Sequence, residues 1–356
     1  MSDFTKDVKK EKVLVAMSGG VDSSVAAFLL KQAGYEIVGA TLKLWDKGDG
    51  FSDLEDARAV AEKMGAEFLA IDAEKEFKDK VINNFIESYE NGLTPNPCIF
   101  CNRHMKFKAL MDSAKASSAT KMATGHYART GFDEATGRYY LKKALDLSKD
   151  QSYVLYSLSQ EQLARTIFPL GELSKDEVRE IASSNGFVTA EKKDSQDICF
   201  IPDGDYVGFI RRCTGKAYEE GDFTDEEGNV LGRHSGMIGY TIGQRKGLGL
   251  ALKKPMYVVK KDMERNRVIL GDNEDLFTRE FMVKDFIWVS MAPTMDEFRG
   301  EVKVRYSQLV KPATIIPMDG GRAKIIFDEP ERAITPGQCA VVYKGDLVLG
   351  GGTISV

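Results

Sequence analysis

Residues 13–24 read VLVAMSGGVDSS, and the change of texture within this stretch sets the architecture of the N-terminal half. Val13 to Met17 form a continuous apolar run, as expected of a strand buried on both faces. Glycines then make a tight turn, after which Val21, Val25, Leu29 and Gln32 recur near helical spacing up to Gly34. With the run EIVGATLKL at 36–44 as the next strand, this predicts a βαβ unit with a right-handed crossover. Ser52 and Glu55 stand at capping-box spacing for a helix ending near Gly65, and Phe68 to Ile71 supply a third strand. A helix over 74–89, the breaker-rich loop NGLTPNP, a helix over 98–115 and a strand over 121–124 continue the alternation. The expectation is a parallel sheet layered with helices.

Beyond about residue 205 glycine-dense segments such as HSGMIGYTIGQRKGLGL appear, and short alternating runs replace long helical ones. In the last eighty residues EFMVKDFIWVS, EVKVRYSQ, ATIIPM, RAKIIF, CAVVYK and LVLGGGTISV are separated by turn signals, the pattern of a small β-barrel or sandwich. We therefore expect a multidomain α/β plus β chain. Its parts are a catalytic domain over 1–205, a central linking domain over 206–275 and a C-terminal β-barrel over 276–356.

A length of 356 residues suits two or three domains, and 43% apolar with 29% charged residues exclude a disordered, collagen-like or coiled-coil chain. The net charge of −5 excludes a generally basic coat, so any nucleic-acid contact must be regional. Leu231 to Asn273 provides such a region, with nine Lys or Arg against three Asp or Glu. There Arg245, Lys246, Lys253, Lys254, Lys260 and Lys261 are expected to follow phosphates while Tyr240 or Tyr257 packs or stacks. No uncharged apolar run approaches the roughly 18 residues of a membrane span, and MSDFTKDVKKEK has no following apolar segment. A cytoplasmic protein without membrane contact is expected. Five cysteines, an odd number, suggest chemistry or metal rather than a disulfide framework.

Three motifs carry the chemistry. SGGVDSS at 18–24 joins a buried strand to a helix N-terminus, where backbone N–H groups and hydroxyls can cradle phosphate. It lacks the lysine of a Walker loop, and its spacing is not that of a dinucleotide fingerprint. It resembles the PP-loop of ATP pyrophosphatases, which implies an adenine nucleotide alpha hydrolase-like domain that cleaves ATP between the α- and β-phosphates, with Asp22 helping to hold Mg²⁺. NPCIFCNR at 96–103 places two thiols at the start of a helix, a position that lowers thiol pKa and suits sulfur chemistry or metal binding. Structural cysteines, a zinc site with His104 and a thioredoxin-like motif are the competing readings, the zinc site lacking a second C-x-x-C pair. DSQDICFI at 194–201 holds a lone cysteine 98 residues after Cys101.

SGGVDSS, NPCIFCN, GHYAR, KDQSYVLY, DSQDICFIP and GMIGYTIGQRKGLG occur here in the order seen in bacterial tRNA-uridine 2-sulfurtransferases, the MnmA/TrmU thiouridylases. The resemblance runs from about residue 12 to the C-terminus. It implies ATP-dependent 2-thiolation of a tRNA wobble uridine, with adenylation of the 2-oxygen followed by sulfur transfer. Cys199 is then the persulfide carrier and Cys101 the nucleophile that pairs with it. Ala16, Met17, Ser18, Gly19, Gly20, Val21, Asp22, Ser23, Leu42 and Gly125 surround ATP in this resemblance. Asn96, Pro97 and Cys98 face the target base, while His126, Lys149, Asp150, Gln151, Arg305, Tyr306 and Gln338 contact tRNA. Implied partners are the anticodon loop of tRNA and a sulfur donor such as a cysteine desulfurase or a sulfur-relay protein.

One departure opens an alternative. Many members of that family carry aspartate where this chain has Cys98. Cys98, Cys101 and Cys199 could together hold a 4Fe-4S cluster with one iron left open for hydrosulfide, as in cluster-dependent tRNA thiolases. Two further readings fit the glycine loop alone: a PP-loop ligase acting on a small substrate, and a non-catalytic adenine-nucleotide-binding redox sensor.

Overall fold

A computed structural model of the chain describes residues 11–46, 52–189 and 198–355. The first half of the DSQDICFI motif, through Asp197, lies outside the described residues.

The N-terminal sheet has five parallel strands. These are β1 (Lys12–Ala16), β2 (Glu36–Lys43), β3 (Glu67–Asp72), β4 (Lys121–Thr124) and, after the hairpin β5 (Ala128–Asp133) and β6 (Arg138–Lys143), the two-residue β7 (Thr166–Ile167). Their spatial order is β3-β2-β1-β4-β7. The strongly apolar β1 lies at the centre, with Val13, Leu14 and Val15 wholly buried. Burying each such side chain stabilises by roughly 1.5–3 kcal/mol. Val13 and Val15 face helix α1 (Val21–Gln32) and helix α2 (Ser52–Lys63), meeting Val25, Leu30, Ala57 and Val60. Leu14 faces the opposite layer, with Phe107, Leu110 and Met122. Helices therefore cover both faces, as the alternation of elements predicts.

Chain order reverses between β1 and β4: β1 connects to β2 on one side, and β4 joins on the other. Such a reversal opens a crevice at the carboxyl ends of the strands, and here it lies between the loop after Ala16 and the turn after Thr124.

The linking region folds as β8 (Gly221–Thr224), β9 (Val230–His234), β10 (Tyr257–Asp262) and β11 (Arg267–Gly271), in the order β10-β11-β8-β9. Phe223, Val258, Val268 and Leu270 form its centre. The structure corrects the surface expected for the basic region. Lys261 points inward and donates to the carbonyl of Tyr240 at 2.9 Å, and Tyr240 itself is buried. Burial pushes the Lys261 amine down to about 8. Arg245, Lys246, Lys253 and Lys260 remain exposed, while Lys254 pairs with Asp272 at 2.6 Å.

The C-terminal strands are β12 (Phe277–Trp288), β13 (Phe298–Lys303), β14 (Lys311–Met318), β15 (Arg322–Arg332), β16 (Cys339–Lys344) and β17 (Leu347–Ser355). All their pairings are antiparallel, and β12 bonds to both β15 and β17, so the sheet closes into a six-stranded barrel. Closure depends on Gly350 and Gly352, where a Cβ would run into the carbonyl oxygens of Ile287 and Lys284. Hairpin β5–β6 leaves the N-terminal half and attaches to β17 through Lys142 and Leu347, extending the barrel sheet. Alternation in the sequence marks these strands but not the sheet they join. Among the described residues no helix is long and apolar enough to cross a membrane.

Candidate active site

At the crevice, Gly20 is the N-cap of α1 and has no side chain with which to cap the first-turn N–H groups, so these are presented to an anionic ligand. The loop is braced from within. Ser23 Oγ accepts from Ser18 N at 3.1 Å and donates to Gly20 O at 3.1 Å, and Ser24 Oγ donates to Gly20 O at 2.9 Å. Thr41 Oγ1 donates to Met17 O at 2.6 Å, holding the loop against β2, where Leu42 is partly buried. Gly125 closes the other wall. A Cβ there would lie 2.7 Å from Ser23 N, so only glycine lets the end of β4 approach α1 this closely. Gly125 thus lies directly against the Asp22–Ser23 start of α1.

Asp22 has partners the sequence does not reveal. Its Oδ1 accepts from Tyr127 Oη at 2.7 Å and from Lys175 Nζ at 2.7 Å, and its Oδ2 accepts from Lys175 Nζ at 2.9 Å. Among the described residues no three His, Cys, Asp or Glu side chains converge as a metal site. As arranged, donors occupy three of the roughly four acceptor positions of the Asp22 carboxylate, so a direct Mg²⁺ bond would have to displace Lys175 or share Oδ2 with it.

Sulfur is carried by a separate segment of the same domain. Asn96 caps the helix Pro97–Cys101, its Oδ1 accepting from Ile99 N at 3.1 Å, with Pro97 in the first turn. Cys98 faces solvent on this turn, while Cys101 is buried. A wide π turn, Asn102–Lys106, follows at once. Cys199 comes from the distant motif and is held by its neighbour Phe200. That ring packs at 5.5 Å, 5.3 Å and 5.1 Å from the rings of Phe77, Phe85 and Phe209, within the core cluster that contains Cys101.

Burial pushes the Cys101 thiol up to about 12, against the pull of Lys106; the thiols of Cys199 and Cys98 stand near enough for negative charge on either to push it further. Cys98 is raised by the protein mass around it although solvent reaches it, as befits a thiol on the wall of a cleft. The fold therefore gathers the three cysteines, and no disulfide joins them. Among the described residues they do not form a ready-made metal-ligand set.

The remaining expected contacts lie around this cleft. His126 is pushed well below the usual imidazole range by burial and by Lys106, and its Nδ1 bonds Thr124 Oγ1 at 2.8 Å. It is a neutral ring at pH 7. Gln151 braces the same turn, its Oε1 accepting from Tyr127 N at 2.9 Å, and Asp150 is buried, accepting from Ala144 N and Ser152 Oγ at 3.0 and 2.8 Å. Lys149 starts this segment, its N–H donating to Asp146 O at 3.1 Å. Arg305 donates to Ile242 O and Ala333 O at 3.0 and 3.1 Å, tying the linking region to the barrel. Tyr306 is exposed, with the Lys303 ammonium 5.4 Å from its ring centroid. Gln338 Nε2 donates to Thr94 O at 2.8 Å. Sequence reasoning missed Lys175, Tyr127 and Lys303; Ser174-Lys175-Asp176-Glu177 signals only a helix start.

Residues 11–203 match the family described as tRNA methyl transferase HUP domain, 208–272 match tRNA methyl transferase PRC-barrel domain, and 278–354 match aminomethyltransferase beta-barrel domain. The chain is 48% identical over 353 residues to the tRNA-specific 2-thiouridylase MnmA of Clostridioides difficile, covering 97% of this chain and 98% of that protein. It is 44% identical over 358 residues to the tRNA-specific 2-thiouridylase MnmA of Acetivibrio thermocellus, covering 98% and 100%. Among solved structures, the U34-tRNA thiolase NcsA from Methanococcus maripaludis with its 4Fe-4S cluster aligns with a TM-score of 0.38 at 21% identity, covering 59% of this chain and 69% of that one.

Proposed function

The chain belongs to the family of tRNA-specific 2-thiouridylases, and on that footing we propose that it uses ATP to exchange the 2-oxygen of a tRNA wobble uridine for sulfur. The observation that carries this reading is the nearness of the exposed Cys199 to the buried Cys101, close enough for charge on Cys199 to raise the Cys101 thiol, in the same domain as a glycine loop built for phosphate.

The reaction follows from the chemistry of the parts. The uridine 2-oxygen attacks the α-phosphorus of ATP, pyrophosphate leaves, and the loop N–H groups stabilise the charge that develops on phosphate. Mg²⁺, carried by the nucleotide, would supply further charge neutralisation. A protein persulfide donor or a cysteine desulfurase first loads Cys199 as Cys–S–S⁻. The terminal sulfur attacks C2, AMP departs, and a Cys199–S–S–C2 adduct remains. Cys101 then gives up its thiol proton to water and attacks the Cys199 sulfur. Their disulfide forms, the S–S bond of the adduct breaks, and its electron pair completes the 2-thiocarbonyl. A dithiol reductant returns the pair to thiols. Cys98, on the solvent-facing turn, faces the base in this scheme, and Tyr306 offers an exposed ring beside it. Anticodon bases are already unpaired, so placing one in the cleft costs less than extraction from a duplex. With tRNA as substrate, the place of action is the cytoplasm.

The test is incubation of the protein with ATP, unmodified tRNA and a persulfide donor, with nucleosides read by mass spectrometry. 2-Thiouridine should form, with AMP released only when tRNA is present. Cys101→Ser and Cys199→Ser should each abolish the product. AMP release driven equally by a small amino acid would replace this reading with that of a ligase.

A further inference from the structure

Walker-type loops carry a lysine inside the motif that reaches the phosphates, and SGGVDSS has none. The fold brings a lysine from 153 residues away. Lys175 opens the helix Lys175–Ser184, and its Nζ lies 2.7 and 2.9 Å from the two carboxylate oxygens of Asp22, in the first turn of α1. The Lys175 side chain is only 8% exposed. Three further interactions fix it. Its backbone N–H donates to Asp146 Oδ2 at 3.2 Å, its ammonium lies 5.9 Å from the Tyr127 ring centroid, and Tyr127 Oη holds Asp22 Oδ1 from another side.

Sequestering an ammonium from water is costly, and a buried ion pair is often no more stabilising than an apolar pair of the same volume. Stability alone is thus a weak reason for a lysine here. The charge has a clearer use, because it stands beside the α1 N-terminus, where N–H groups already favour an anion. An incoming polyphosphate brings several negative charges to an ammonium that Asp22 holds in place.

We propose that Lys175 is a phosphate-binding residue of the nucleotide site, supplying from another helix the cation its loop lacks. Asp22 is its positioning residue and acts through Lys175 rather than as a direct ligand of Mg²⁺. The ligand class is a nucleoside triphosphate or pyrophosphate, recognised through its phosphates. This inference rests on the reading that the glycine loop binds ATP.

Calorimetric titration of the full chain with ATP, AMP and inorganic pyrophosphate tests it, with thermal melting as a control of folding. Lys175→Met should weaken ATP and pyrophosphate by at least about tenfold, the scale of one charge-assisted hydrogen bond, and AMP by less than about threefold. Lys175→Arg should recover part of the affinity. The double variant Asp22→Asn/Lys175→Met removes both charges, leaves no bare carboxylate and carries the measurement if Lys175→Met does not fold. It should bind ATP as weakly as Lys175→Met. In Asp22→Asn, the Mg²⁺ concentration that half-saturates ATP binding should stay within about threefold of wild type. Wild-type ATP affinity in Lys175→Met or in the double variant would overturn the role of Lys175, and a larger Mg²⁺ shift in Asp22→Asn would overturn that of Asp22. A wild-type chain that binds no ATP would instead refute the nucleotide reading beneath both.

Discussion

The side-chain amide of Gln338 donates to the carbonyl oxygen of Thr94 at 2.8 Å, fastening the barrel to the loop that leads into the cysteine helix. The same amide reaches Pro95 O at 3.3 Å, and the backbone adds a second tie, Thr94 N to Pro336 O at 2.9 Å. The segment that aims Cys98 and Cys101 is thus set partly by residues near the far end of the chain.

Gln338→Ala keeps the backbone tie and removes the side-chain one. A neutral hydrogen bond contributes roughly 0.5–1.5 kcal/mol, so kcat should fall by about three- to tenfold while KM for tRNA changes by less than about twofold. Steady-state thiolation kinetics decide it. A raised KM at unchanged kcat would make Gln338 a tRNA contact instead.

Cys101 is protonated at neutral pH in the substrate-free protein, because burial raises its thiol from 9.0 to about 12. Its alkylation by iodoacetamide should be slow at about pH 8 and should climb above about pH 10, read by mass spectrometry of the peptide. The sign for stability follows. A raised acid favours the folded state fully below the unfolded value of 9.0, and that contribution is lost as pH rises through about 12. Fast alkylation at pH 7 would contradict the buried thiol.

His126 shifts in the opposite direction. Burial lowers it well below 6.5, so under acid the unfolded chain takes up a proton that the native ring refuses. Its contribution to stability is present above about pH 6.5 and is lost as pH falls toward the lowered native value. Melting temperature should decline from about pH 6.5 to 5, and His126→Gln should flatten that slope. An identical slope in the variant would show that other groups govern it.

Neutralising Arg245, Lys246, Lys253 and Lys260 together, all exposed, should weaken tRNA binding and reduce the slope of log affinity against log salt by up to about 0.9 for each phosphate left without its cation. Lys261→Met should act differently. It strips the Tyr240 carbonyl of its donor and should lower stability by roughly 1–3 kcal/mol with little change in the salt slope. Filter binding at several salt concentrations and denaturant melts separate the two effects. A salt slope unchanged in the fourfold variant would leave these cations as a solvated face.

Short-range pattern made much of this protein legible. The VLVAM run, the glycine turn and the helix after it report their own conformations, since apolar period and turn chemistry act over a few residues. The Asn96 cap and Pro97 likewise announce a helix with two thiols near its start. Periodicity says that a face is apolar, yet it does not name the partner that will cover it. Hence the sheet order, the transfer of hairpin β5–β6 to the barrel and the inward turn of Lys261 appear only in three dimensions. The pairing of Asp22 with Lys175 and the approach of Cys199 to Cys101 have the same cause. Each depends on long-range packing, on the helix that buries Lys175 and on the aromatic cluster that seats Phe200, and neither leaves a mark at short spacing in the chain.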